Sequence, residues 1–165
     1  MVFGMIIGIT LKILFYFIIT LILSIVIITI ASIGGSEGGF SLAFGSAVLI
    51  LGVYWITDFI VSLIVPVVLP YLLAALPLLS QAASLIQNIL IWVITAFITF
   101  CVMWAIYCKT DFDMSGAGGF FAAIFTAIIY VIAAAIFSFI FLSTFNYMAS
   151  LGLLGPDVTF WFNFI

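Results

Sequence analysis

The sequence predicts an all-α, polytopic transmembrane helical protein: two repeated helical hairpins with four spans, five being the alternative. Three observations predict it. Of the 165 residues, 69% are hydrophobic and 4% charged, whereas soluble domains carry about 25% charged residues. Apolar runs of about 20 residues, the length that crosses a bilayer as helix, alternate with glycine-rich or polar breaks. A segment beginning at Gly38 recurs from Gly118.

The charge inventory sets the surroundings. Two lysines and five carboxylates, with no arginine or histidine, cannot furnish a water-facing surface. Most of the chain is therefore solvated by lipid or by other apolar protein. A net charge of −3 supplies no basic footprint for nucleic acid and no polybasic anchor for anionic lipid.

The first span runs from about Ile13 to Ile33 with Lys12 at its entrance, and apolar Met1 to Leu11 permit an earlier start. This run is longer than the roughly 7–15 apolar residues of a signal peptide, so it reads as retained. Gly34-Gly35-Ser36-Glu37-Gly38-Gly39 forms a tight polar turn, because glycine takes positive φ cheaply. The second span covers Phe40 to about Ile64 and stops at Pro66. Pro66 to Leu79 contains three prolines and makes only about 21 Å of helix against a hydrocarbon core of about 30 Å. It reads as a re-entrant or interfacial linker, followed by polar headgroup-level residues from Ser80 to Asn88. The third span covers Ile89 to Tyr107, and a second glycine turn, Gly116 to Gly119, opens the fourth, from Phe120 to Leu142. Gly155-Pro156-Asp157 breaks the tail before Phe160-Trp161-Phe162, an aromatic cluster of interfacial type. The chain divides into residues 1–87, a hairpin plus linker, and 88–165, a hairpin plus aromatic tail.

Within the repeat, Gly38, Gly39, Phe40, Ala43, Ala47, Ile56, Phe59 and Ile60 are matched in register by Gly118, Gly119, Phe120, Ala123, Ala127, Ile136, Phe139 and Ile140. Each unit is span, glycine turn, span. Ala43 with Ala47, and Ala123 with Ala127, lie four apart on one helix face. Small residues so spaced let helices approach closely in lipid, where van der Waals contact replaces much of the hydrophobic drive. Four spans put both glycine turns on one side and Lys12 and Lys109 on opposite sides. Five would let both lysines face the cytoplasm, as the positive-inside rule prefers. Length and prolines favour four.

Asp58 is the one carboxylate inside a span, and an intramembrane ionisable group is by default a candidate ion or proton site. The competing reading is hydration near a helix end at Pro66, or bonding to Thr57 or Ser62. Asp111 and Asp113 sit with Lys109 in what reads as a solvated turn, and Glu37 reads likewise. Cys101 and Cys108, about 10 Å apart along one helix, are too distant to form a disulfide. Without histidine or a cysteine pair at ligand spacing, no zinc or haem site is expected. No phosphate-binding glycine loop is present, and no cofactor is expected.

Glu37-Gly38-Gly39-Phe40, the apolar linker Pro66 to Leu79 and the stretch Phe112-Asp113 through Gly119-Phe120 together resemble the small membrane proteins grouped as phage holin family 4. The likeness spans residues 10–143 and lacks an arginine before the linker proline. It implies a pore or lesion former. Hairpin duplication with one membrane carboxylate is also similar to the duplicated proteolipid of rotary ATPases. The glycine-studded helix and basic-polar-proline loop of that family are missing here. Taken together, the expectation is a non-catalytic, multi-pass membrane subunit, not an enzyme. Its partners would be membrane lipid and other subunits or copies of itself. The alternatives are an ion- or proton-conducting component using Asp58 and a holin-like pore former.

Overall fold

The computed structural model describes residues 2–36, 38–73, 82–110 and 112–164. Five helices follow in order: α1 Val2–Ile33, α2 Phe40–Leu73, α3 Ala83–Lys109, α4 Gly116–Ser150 and α5 Pro156–Phe164. The first four are long and apolar enough to cross a membrane, so the chain is all-α and polytopic.

Nothing in the first 33 residues interrupts a helix, and α1 begins eleven residues before the expected Ile13. It ends as glycine dictates. Gly35 has φ 81°, and Ser36 N–H donates to the Ala31 carbonyl (2.9 Å) while Gly35 N–H donates to that of Ser32 (3.1 Å). This closes the last carbonyls of the helix in a Schellman motif.

The second helix corrects the expected stop at Pro66. It continues through Pro66 and Pro70 to Leu73, so residues 66–73 belong to a long helix rather than a separate re-entrant piece. Residues 74–79 of the expected linker, Pro77 included, lie outside the described residues. Each proline removes one backbone donor, yet a break in the helix would leave more backbone groups without partners. Side-chain packing favours the same outcome. Val61, Val65 and Leu69 form a buried i, i+4, i+8 seam against Ala83, Ile86, Leu90, Ile91 and Ile94 of α3, while both prolines face outward. The residues expected at headgroup level, from Ala83 to Asn88, form the first turns of α3, so a domain boundary at 87 would cut that helix.

A third correction concerns the second glycine turn. Gly116–Gly119 is the first turn of α4, not a loop. Ser115 caps it: its hydroxyl accepts from Gly118 N–H at 3.1 Å and its carbonyl from Gly119 N–H at 2.7 Å, as an N-cap serine does. α4 also outlasts the expected exit at Leu142 by eight residues and ends at Gly152, φ 72°, in a second Schellman closure, Leu153 N–H to the Met148 carbonyl (3.1 Å).

Packing runs round a ring, α1/α2, α2/α3, α3/α4 and α4/α1, with α5 laid on α1. The end of α1 (Leu23, Ile27, Ala31) and the end of α3 (Met103, Ile106, Tyr107) share one core with the beginnings of α2 (Ala43, Ala47, Ile50) and α4 (Ala122, Ala123). Neighbours are therefore antiparallel, and both glycine segments lie at one end. They touch: Gly38 faces the Phe112 ring and Gly34 the Met114 methyl with no room for a Cβ. Tyr107, fully buried, ties three helices there. Its hydroxyl lies 2.6 Å from Thr126 Oγ1 and donates to the Ile27 carbonyl at 3.4 Å.

Away from that end the ring opens into two walls. One is the α2/α3 seam. The other is an aromatic stack joining α1, α4 and α5: Phe15 with Phe137 and Phe141 at 5.6 and 5.1 Å, then Phe162 with Phe145 at 4.2 Å. The tail cluster is thus only partly the interfacial belt expected. Phe162 is 4% exposed and belongs to this stack, Phe160 points outward, and the Trp161 side chain lies outside the described residues.

Candidate functional site

Between the two walls the four helices line a cavity of about 570 Å³, within the roughly 300–1,000 Å³ range of small-molecule sites. Tyr16 and Thr20 come from α1, Gly52 and Trp55 from α2, Phe100 from α3, and Tyr130 from α4. Its surface is mainly apolar. A second chamber of about 440 Å³ adjoins it, lined by Ile9, Lys12, Ile13, Tyr16, Trp55 and Asp58. Tyr16 and Trp55 border both spaces, their rings edge-to-face at 4.7 Å and 74°.

Lys12 and Asp58 are the ionisable anion–cation residues of this chamber, one from each wall. With α2 running to Leu73, Asp58 sits about 27 Å along the helix from Phe40 and about 22 Å from Leu73. The expected position near a helix end at Pro66 is therefore corrected to mid-helix. Lys12 lies about 32 Å along α1 from Ile33, level with Asp58 because the two helices are antiparallel. The Lys12 ammonium donates to the Phe162 carbonyl at 3.0 Å and lies 5.2 Å from the Phe162 ring and 5.8 Å from that of Tyr16. Phe162 is in the last turn of α5, whose carbonyls lack helical partners. Lys12 therefore caps α5 and complements its dipole, with two N–H donors left over. Among the described residues no hydrogen bond or ion pair reaches Asp58, and the expected bonds to Thr57 and Ser62 do not form.

The other predicted positions fall elsewhere. Ala43, Ala47 and Ala123 are fully buried in the core at the glycine end, and Ala127 lines the cavity wall. All four thus face the interior of this chain and not its outer surface. Of the predicted turn glycines, Gly38 permits the Phe112 contact. Gly119 lets α4 approach α3, since a Cβ there would lie 2.5 Å from Cys108 Sγ. Gly39 and Gly118 meet no such obstruction beyond Ser115 Oγ at 3.0 Å from a Cβ at Gly118. Cys101 and Cys108 are free thiols. Asp113 is exposed and adopts φ 44°, while Asp111 and Glu37 lie outside the described residues.

Asp58 stands out in the sequence, where Lys12 reads only as an orientation marker. The available signal was that each is the sole ionisable Lys or Asp within its apolar run. The site can hold opposite charges about 27–32 Å along the helices from the glycine end, beside an apolar space. Beyond Tyr16 and Trp55 the hydroxyls of Thr20, Tyr54, Thr99 and Tyr130 also line the mainly apolar cavity, and those of Thr20 and Thr99 donate to carbonyls of their own helices at 2.9 and 2.8 Å. The chain matches no protein-family model, no curated protein and no solved structure with which it was compared.

Proposed function

We propose that this chain is a non-catalytic integral membrane subunit that packs within a larger or homo-oligomeric membrane assembly. The non-catalytic part rests on composition: no histidine, no arginine and 4% charged residues leave few groups able to move protons or polarise a substrate. The assembly part rests on one observation, the outer face of α4. Only 6% of its apolar window is buried, and Phe125, Ile128, Ile132, Ile136 and Phe139 along it are each more than half exposed. Their spacing of three and four is that of a helix–helix contact. Because the alanine faces are spent within the chain, contact with other chains falls to such aliphatic and aromatic stripes.

The competing occupant of that stripe is lipid, and native mass distinguishes the two. Extracted in mild detergent, the chain should migrate as a multiple of its 18.0 kDa mass or with a defined set of membrane proteins. Ile132→Trp, on the stripe, should break that association. A solitary monomer at all detergent concentrations contradicts the reading.

A further inference from the structure

We infer that the adjoining cavity and chamber bind one bilayer phospholipid with a zwitterionic, primary-amine headgroup, its head between Lys12 and Asp58 and an acyl chain in the apolar space. This reading is independent of the assembly proposed above, since it concerns the interior of the bundle and not the α4 stripe.

Three features converge on it. The large cavity is apolar, is lined by all four long helices and lies in a chain whose surroundings are lipid, so an acyl chain is the most abundant species able to fill it. The adjoining chamber carries one cation and one anion on opposite walls, level along the helices. Each has unmet bonding capacity. Lys12 keeps two donors after capping α5, and Asp58 is held to no other described residue. A carboxylate removed from water needs donors, and charged ones serve best. A phosphate–ammonium headgroup supplies both halves: its phosphate oxygens accept from Lys12 and its ammonium donates to Asp58. A choline headgroup has no N–H to give. A purely anionic headgroup satisfies Lys12 but meets the Asp58 carboxylate with like charge.

The third feature is position. Counted from the glycine end, Lys12 and Asp58 lie about 32 and 27 Å along their helices, close to the roughly 30 Å thickness of hydrocarbon. The apolar cavity lies between them and the glycine end, lined by α2 from Val48 to Trp55. Head at one boundary and chain toward the middle is the orientation of a lipid in a leaflet.

The test is lipid retention by native mass spectrometry after exchange into mixed micelles holding equal amounts of phosphatidylethanolamine, phosphatidylcholine and phosphatidylglycerol. The native chain should retain one phosphatidylethanolamine, preferred over each of the others by roughly tenfold, the effect of one charge-assisted hydrogen bond. Gly52→Leu fills the cavity at a position where a Cβ meets nothing within 4 Å, so it should fold normally and lose the lipid. Asp58→Asn removes the like charge and should shift preference toward phosphatidylglycerol, with retention preserved. Phe139→Leu, on the outer surface, should change neither. Retention in Gly52→Leu equal to the native chain, or a native chain retaining the three lipids without preference, overturns the inference.

Discussion

Thr95 is 1% exposed, and its hydroxyl has no hydrogen-bond partner among the described residues. A buried hydroxyl left unpaired costs about 1–3 kcal/mol, so Thr95→Val, nearly the same shape without the hydroxyl, should raise stability by about 1 kcal/mol. Tyr107→Phe should act in the opposite sense. It removes the link from α3 to Thr126 and Ile27 and should lower stability by about 1 kcal/mol, in line with interhelical bonds in membranes. Unfolding in graded sodium dodecyl sulfate measures both, and equal behaviour of the two variants would contradict these assignments. Asp58→Asn should leave proton and cation flux through reconstituted vesicles unchanged, because the surface of the cavity beyond Tyr16 and Trp55 is mainly apolar and two of its hydroxyls, those of Thr20 and Thr99, are held by their own helices. At this scale the sequence showed Asp58 plainly, since a lone carboxylate in an apolar run stands out. It could not show that Lys12 faces it. That pairing depends on where two antiparallel helices align, which the spacing along one helix does not contain. Tyr107 and Thr126 were equally hidden among abundant aromatic and hydroxyl residues, although Thr126 occupies the repeat position of Ser46, which is also buried.

Among the elements, Gly119 lets α4 lie against α3. Gly119→Ala would place a methyl 2.5 Å from Cys108 Sγ and, like other overpacking changes, should cost about 1–3 kcal/mol. Cys108→Ala in the same chain removes the obstructing sulfur. The other neighbours of that Cβ, Tyr107 and Trp104 atoms at 3.4 and 3.5 Å, are at ordinary contact distance. The double variant should therefore recover most of the loss, and a double variant as unstable as Gly119→Ala would show that the sulfur is not what the glycine accommodates. Similarly, Gly4 admits α5, with a Cβ there 2.5 Å from that of Asp157. Gly4→Leu should lift α5 from α1 and expose α5 to proteolysis. Element ends were legible where glycine closes a helix, as at Gly35. They were misread where other physics decides. Pro66 reads in the sequence as a stop because proline interrupts helices, but an unbroken α2/α3 seam favours continuing. Gly116–Gly119 reads in the sequence as a turn because glycine clusters usually are, whereas the capping hydroxyl of Ser115 starts the helix before them.

For the molecule as a whole, the arrangement is a ring of four long helices, tight at the glycine end and parted at the other, with the cavity in the parting. Composition and run length made the class legible, because a chain with so few charges has only helices or a closed barrel available in lipid, and the runs have helix length. The order of helices round the ring and the splay between its two walls were not legible. They follow from which side chains meet: small alanines at one end, and at the other the seam of Val61, Val65 and Leu69 against α3 and, apart from it, the Phe15, Phe141 and Phe162 stack. Four helices that cross in alternating directions bring the α1/α2 and α3/α4 connections out together. Single cysteines at Ser36 and at exposed Ala117, in a chain with Cys101 and Cys108 replaced by alanine, test this arrangement in sealed membrane vesicles with an impermeant maleimide. Both positions should label from the same side. Labelling of the two connections from opposite sides would contradict the account.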